Sequence, residues 1–301
     1  MLTYALWRQL GNMYTLIPFT KMHGLGNDFV VLDNIRQSLK MDTQLAKKIA
    51  DRHLGIGCDQ VLVVEPPSSP DVDFDYRIFN ADGNEVMQCG NGARCLARYI
   101  HDHGLTDKKT ILLATQSTKM SVSLEDLLSI EVNMGIPRFE PNAIPFQSNT
   151  AEPLGPQGRY RIQLSNQSKD ITVMSLGNPH CTLTVPSLNE VAINELGAAL
   201  QQHPAFVDGV NVSFLQVLAK NHAKCRVFER GVGETQACGS AACAAVMAGI
   251  IQNELNHEVQ VDMLGGSLTV RWIPEQGLLL SGATASVFHG DFALFIPPEV
   301  F

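Results

Sequence analysis

The sequence predicts an α+β protein of two similar domains, each a curved, mostly antiparallel, barrel-like sheet around a central buried helix. The functional site is expected in the cleft between them. Three observations carry this expectation. The first is an internal repeat: "RIFNADGNEVMQCG" (77–90) resembles "RVFERGVGETQACG" (226–239), and Arg77/Arg226, Phe79/Phe228, Glu85/Glu234 and Cys89/Cys238 all pair at an offset of 149 residues. Upstream, "LGND" (25–28) meets "LGNP" (176–179) at an offset of 151, and Gln60 and Asn211 each lie 33 residues beyond the Asn of their own "LGN". A period this long means a duplicated domain rather than a solenoid. The second is that strand-like runs far outnumber helical ones, which points to α+β with mostly antiparallel pairing. The third is "GSAACAAVMAGII" (239–251), apolar on every face, so that a helix there must be enclosed.

Taken along the chain, "DFVVLDN" reads as a strand and "TQLAKKIADRH" (43–53) as a helix capped by Asp42 or Thr43. "QVLVVEP" is a strand stopped by prolines, and "VDFDYRIFN" alternates apolar and polar residues like a half-buried strand. Further strands are expected at "TILLATQ", "KMSVSL", "LSIEVNMG", "DITVMSL", "CTLTVP", "VSFLQVLA", "KCRVFE", "EVQVDML", "SLTVRWI" and "GLLLSG". The Pro- and Asn-rich "MGIPRFEPNAIPFQSNTAEPLGPQG" (134–158) marks the crossing between halves, and "ASVFHGDFALFIPPEVF" (285–301) is a strand that returns to the first domain. The expected limits are therefore 17–133 with a return segment at about 286–301, then 134–285, with 1–16 an N-terminal extension.

A chain of 301 residues suits two domains of ordinary size. The net charge of −8 argues against a nucleic-acid partner, which calls for a basic face. No apolar run approaches the roughly 18 residues of a membrane span. The opening "MLTYALWRQLGNMYTL" has a single Arg and no small-residue cleavage site, a poor signal peptide. Seven cysteines, an odd number without small-scaffold spacing, fit a reducing compartment. The expected location is the cytoplasm.

The chemistry centres on two of those cysteines. Cys89 and Cys238 each stand immediately before a helix, followed by Gly90-Asn91-Gly92 or by Gly239-Ser240-Ala241. A helix start leaves N–H groups unpaired and favours negative charge. The pattern thus predicts thiols that ionise more readily than a free cysteine, and glycines placed so that a carboxylate can reach the free N–H groups. Two such starts facing one cleft suit inversion at an α-carbon: one cysteine takes the proton as thiolate, the other returns one from the opposite face. No cofactor or metal is expected. Cys89-x5-Cys95 and Cys238-x4-Cys243 are wider than zinc pairs, and no lysine stands beside a phosphate cradle of the kind a pyridoxal phosphate racemase needs. Cys95, Cys181, Cys225 and Cys243 read as core residues.

The motifs "FTKMHGLGNDFVVLDN", "GIGCDQVLVV", "FNADGNEVMQCGNGARC", "GNPHCT", "GVNVSF" and "ERGVGETQACGSAACA", in this order from about Phe19 onward, resemble the diaminopimelate epimerase family. The resemblance implies a cofactor-independent conversion of LL- to meso-diaminopimelate by Cys89 and Cys238, and a homodimer. It implies substrate contacts from Asn27, Gln60, Asn80, Gly90, Asn91, Asn178, Asn211, Glu229, Arg230, Gly239 and Ser240. It also places His180, with Glu229, as a group that orients or polarises a thiol. Two features depart from the family pattern: the first ~15 residues precede its usual start, and Ala241 stands where it has Gly. The alternative is a related two-cysteine isomerase acting on proline or hydroxyproline, against which Arg230 and the amide groups weigh. His23, Asp28 and Asp59 are expected to make loop hydrogen bonds near the site.

Overall fold

The computed structural model describes residues 14–295 apart from positions 88, 117, 156 and 166, so the expected extension is seen only from Tyr14 and the return segment only to Phe295. The first half contains β1 (Tyr14–Gly24), β2 (Asn27–Asp33), α1 (Thr43–Ala50), β3 (Gln60–Glu65), β4 (Phe74–Asn80), α2 (Gly90–Asp102), β5 (Thr110–Ala114), β6 (Lys119–Ser123) and β7 (Ile130–Asn133). The second contains β8 (Glu152–Pro153), β9 (Arg159–Gln163), β10 (Ser168–Ser175), β11 (Pro179–Thr184), α3 (Ile193–Gln201), β12 (Asn211–Ala219), β13 (His222–Glu229), β14 (Gly233–Thr235), α4 (Gly239–Ile251), β15 (Glu258–Met263), β16 (Gly266–Ile273) and β17 (Gly277–Gly282). A last strand, β18 (Ala285–Phe295), pairs antiparallel with β1 from Tyr14↔Phe295 to His23↔Ala285.

The two halves repeat one pairing scheme. In the first, β1–β2 is antiparallel, β2–β3 parallel, β3–β4 antiparallel, β4–β5 parallel, then β5–β6 and β6–β7 antiparallel. In the second, β10–β11, β11–β12, β12–β13, β13–β15, β15–β16 and β16–β17 follow with the same senses. The parallel pairings depart from a purely antiparallel expectation for a simple reason. Each joins strands separated by one of the four helices, and a helical crossover returns the chain in the same direction. Antiparallel β7–β17 pairing joins the two halves. The described pairings thus run as one continuous 18-stranded sheet, curved around α2 in the first half and α4 in the second.

Burial explains why β2 and β3 are continuous apolar runs rather than alternating ones. Phe29, Val31, Leu62 and Val64 face α2, while Val30, Leu32, Val61 and Val63 form a separate core with Ala46 and Ile49 of α1. A strand covered on both faces has no polar side to show. The second half does the same, with Leu215 turned to the α4 core and Val212 and Phe214 to Ile193 and Leu200 of α3. α4 is enclosed as its composition requires, with every residue from Gly239 to Gly249 buried. α2 and α4 lie in one continuous core that runs beneath both halves.

α1 ends earlier than its pattern suggests. Asp42 caps it by accepting from the Leu45 N–H at 2.8 Å, but Asp51 then accepts from the N–H groups of His53 and Leu54, both at 2.7 Å. This local turn competes with a further helical turn. α3 was not foreseen from its own residues, since Ala192 before it supplies no side-chain cap. The repeat holds the missing signal: α3 lies 150 residues beyond α1.

Candidate active site

The repeat is also a repeat of contacts. Arg77 grips Glu85 through Nε at 2.9 Å and Nη2 at 2.8 Å, and Arg226 grips Glu234 through the same atoms at 2.6 and 2.8 Å. Bidentate pairs of this kind set direction as well as distance. Each ties the end of a strand, β4 or β13, to the returning chain that delivers a cysteine to its helix. Cys89 and Cys238 are accordingly the N-cap residues of α2 and α4, both with extended backbone.

The two helix starts abut. A Cβ built on Gly239 would lie 3.5 Å from Asn91 Oδ1 and 3.9 Å from Asn91 N. Asn91 Nδ2 donates across the cleft to the Ala237 carbonyl at 3.3 Å and to Asn27 Oδ1 at 3.4 Å. The Cys89 sulfur accepts from the Gly92 N–H at 3.3 Å, and its S–H faces Asn27 Oδ1 at 3.9 Å. The Cys238 sulfur lies 3.6 Å from Ser240 Oγ. Asn27 is held in turn by Asp59, to which its Nδ2 donates at 3.0 Å, and Asp59 with Asp28 and Arg52 forms an ion-paired cluster beside it. Asp28 and Asp59 thus make the loop contacts foreseen for them, while His23 Nδ1 is buried without a partner.

Other site candidates fall at equivalent places in the two sheets. Gln60 opposes Asn80 in the β3–β4 register and donates to it at 2.8 Å. Asn211, the first residue of β12 as Gln60 is of β3, accepts from the Arg230 N–H at 3.0 Å and donates to the Pro179 carbonyl at 3.2 Å. Glu229 ends β13 beside Cys238 and accepts from the Thr235 hydroxyl. Arg230 is exposed, its Nη1 donating to the Asp208 carbonyl at 3.1 Å. Asn178 accepts from His180 Nε2 at 2.9 Å. Asn27, Cys89 and Asn91 form one connected group that reaches the Ala237 carbonyl next to Cys238, Cys238 groups with Ser240 and Glu229, and Gln60 pairs with Asn80.

Ionisation runs against the helix-start expectation. Burial pushes the Cys89 thiol up to about 11, although the Gly92 N–H pulls the other way, and Glu229 adds to the rise. Burial pushes Cys238 up further, again with Glu229 contributing. Desolvation also raises the Glu229 carboxyl. Removing these groups from water outweighs the favourable helix ends. In the free protein both thiols are protonated near neutral pH. Cys95, Cys225 and Cys243 are enclosed and pushed to about 12 by the same cause, and Cys181 is raised by burial as well.

The glycines at the helix starts also lie tight against the core. A Cβ on Gly90 would meet Met134 Sδ at 2.9 Å and Leu280 Cδ2 at 3.4 Å, and one on Gly239 would meet Leu280 Cδ2 at 2.6 Å. At Gly92 the added carbon would collide with the Tyr76 hydroxyl. Ala241 is the counterpart of Gly92, and the smaller Cys225 is the counterpart of Tyr76 at the same offset, so the second half lacks the hydroxyl that would meet a methyl at Gly92.

His180 is fully buried and held down to about 3 by burial, with Arg230 adding to the shift. Its Nε2–H serves Asn178, leaving Nδ1 a bare, unpartnered acceptor. This predicts an acid-sensitive fold. Between its unfolded value of 6.5 and about 3 the unfolded chain binds a proton at His180 that the folded chain does not. Stability therefore falls as pH drops through that window, by about 1.4 kcal/mol per pH unit from this group. Urea midpoints at several pH values should show a shallower slope for His180→Gln; an unchanged slope would exclude a buried neutral imidazole.

Residues 19–140 and 172–286 match the family model of diaminopimelate epimerase. The chain is 49% identical over 280 residues to the diaminopimelate epimerase of Ectopseudomonas mendocina (strain ymp), covering 93% of this chain and 100% of that protein. Among solved structures, a hydroxyproline epimerase from Agrobacterium vitis with bound trans-4-OH-L-proline shares the fold at a TM-score of 0.67 and 13% identity, over 94% of each chain. A phenazine biosynthesis protein of the PhzF family from Bacillus anthracis aligns at a TM-score of 0.64 and 16% identity, over 94% of this chain and 100% of that one. These last likenesses concern the fold alone; the sequence match goes further. The chain belongs to the diaminopimelate epimerase family.

Proposed function

We propose that the protein epimerises LL-2,6-diaminopimelate to the meso form without a cofactor, with Cys89 and Cys238 as the proton-transferring pair, a step that serves lysine and peptidoglycan-precursor synthesis. The observation that carries this reading is the meeting of two cysteine-capped helix starts across one cleft. A carboxylate bound at those starts takes up charge as the α-carbon loses its proton, where oriented donors act in a low-dielectric site. Both thiols begin protonated, so the substrate's α-ammonium, arriving between them, is the charge that favours one thiolate. When Cys238 is the base, Glu229 beside it takes that thiol's proton; turnover leaves Cys238 protonated and Cys89 as thiolate, and the Glu229 proton returns to Cys89 through solvent. His180 positions Asn178, and Arg230 with Gln60, Asn80, Asn178 and Asn211 binds the second amino-acid head, whose absence leaves buried polar groups unpaired.

The same reading takes the halves to divide near residue 134, with the segment from about 286 completing the first, and expects a homodimer in the cytoplasm. No helix among the described residues is long and apolar enough to cross a membrane. The test is turnover in D₂O. LL-diaminopimelate should give meso product carrying one solvent deuterium at the inverted carbon, with little deuterium in unreacted substrate, because separate groups serve the two faces. Inversion of proline or hydroxyproline in place of diaminopimelate would assign the chain to the alternative substrate class.

A further inference from the structure

We infer that Arg94 is a positioning residue of this site: a buried cation that fixes both helix starts through Asn91 and supports the negative charge gathered there. Its side chain is completely enclosed, and Nη2 donates to Asn91 Oδ1 at 2.9 Å while Nε and Nη1 have no partner. Among the described residues no carboxylate pairs with it; the acidic groups that act on it are the thiols of Cys89, Cys95 and Cys243. An enclosed guanidinium without an anion is costly, and such an unsatisfied group calls for an explanation.

The repeat supplies one. Arg94 corresponds to Cys243 at the same 149-residue offset that relates the two site cysteines. One half contributes a guanidinium and the other a small side chain, so a single cation occupies the space below both helix starts. Gly24 and Gly282 leave it room: Cβ atoms there would lie 3.7 and 3.4 Å from Arg94 Nη2. By occupying Asn91 Oδ1, the guanidinium turns the Asn91 amide nitrogen toward Ala237 O and Asn27 Oδ1, fixing contacts on both sides of the cleft. Its missing counter-ions are the bound carboxylate and the transient thiolate. The fixed charge already opposes burial at Cys89, Cys95 and Cys243, and charge acts strongly in so dry a place.

This inference rests on the proposed proton-transfer pair, but its test separates the two. Iodoacetamide alkylation of Cys89 at pH 8, followed by peptide mass mapping, is compared in the wild type, Arg94→Met and Arg94→Lys, alongside epimerase kinetics. Arg94→Met should slow Cys89 alkylation about tenfold, the consequence of a one-unit rise in its ionisation. It should also lower kcat/KM about 100-fold, as for loss of one oriented charge-stabilising group. Arg94→Lys should keep the alkylation rate within about threefold, half a pH unit. A purely structural Arg94 predicts the opposite sign, since a loosened helix start exposes the thiol and speeds alkylation. Unchanged or faster alkylation in Arg94→Met, or equal slowing by Met and Lys, overturns the inference. If Arg94→Met does not fold, Arg94→Lys alone decides by whether it holds the wild-type rate. Absence of diaminopimelate turnover in the wild type would sink the proposed function while leaving the alkylation comparison readable.

Discussion

Alanine at Cys89 or at Cys238 is expected to stop epimerisation while leaving the protein folded. General acid–base groups are commonly worth about 10²–10⁴ in rate, and here each thiol serves one face of the carbon alone, so the loss should reach the upper end or exceed it. The two variants should differ in what remains. Each keeps a base on one side, so each should exchange the α-hydrogen of a single stereoisomer with D₂O without inverting it, and the isomer should be opposite for the two. Proton NMR of LL- and meso-diaminopimelate incubated with each variant reads both effects. Turnover near wild type in either would rule out the two-cysteine mechanism. Cys89→Ala should also lose a few tenths of a kcal/mol up to about 1 kcal/mol of stability, because the weak N-cap its sulfur makes with the Gly92 N–H is removed.

The second large effect is structural and tests how a helix start is built. Gly92→Ala should destabilise the protein by about 1–3 kcal/mol, the usual cost of overfilling a tight core. The methyl meets the Tyr76 hydroxyl, with Leu62 Cδ2 at 3.2 Å and Cys89 Cβ at 3.4 Å beyond it. Activity should fall as well, because the displaced Tyr76 hydroxyl lies against the Cys89 carbonyl at 3.4 Å, and small misplacements near a reacting atom are expensive in rate. Tyr76→Phe alone should be mild, since the hydroxyl makes only a 3.4 Å contact to the Cys89 carbonyl. The double variant should regain at least half the lost stability, a coupling of about 1 kcal/mol between touching residues. The second half carries Ala241 and Cys225 at the corresponding two positions. Additive urea midpoints would mean that the hydroxyl is not the obstruction.

Much of this architecture was legible because the chain states it twice. Matching offsets relate Arg77 to Arg226 and Cys89 to Cys238, and the structure repeats the same ion pair and the same N-cap at each. Strand direction was harder to read. Continuous apolar runs such as "QVLVV" report burial on two faces but not which way the neighbour points, so the parallel β2–β3 and β11–β12 pairings were hidden. The positions of the two thiols were legible and their ionisation was not. A helix start visible in sequence favours the thiolate, while the opposing desolvation depends on how tightly Leu280, Tyr76 and Asn91 enclose the site. Arg94 was invisible for a related reason: an arginine in a helix reads as a solvent-facing residue until its surroundings are seen. The glycines were legible as necessities, but the protein neighbours that crowd them, Met134, Leu280 and Tyr76, were not.

The β1–β18 pairing has a consequence during synthesis. β1 pairs from Tyr14 to His23 with residues 285–295, which are made long after it. Contacts separated by so much chain form late in folding. The leading half thus keeps one sheet edge uncovered until residues 285–295 have been made. An edge left open in this way is a template for pairing with another nascent chain. Its trailing half, by contrast, finds its equivalent edge strand, β9, already waiting beside β10.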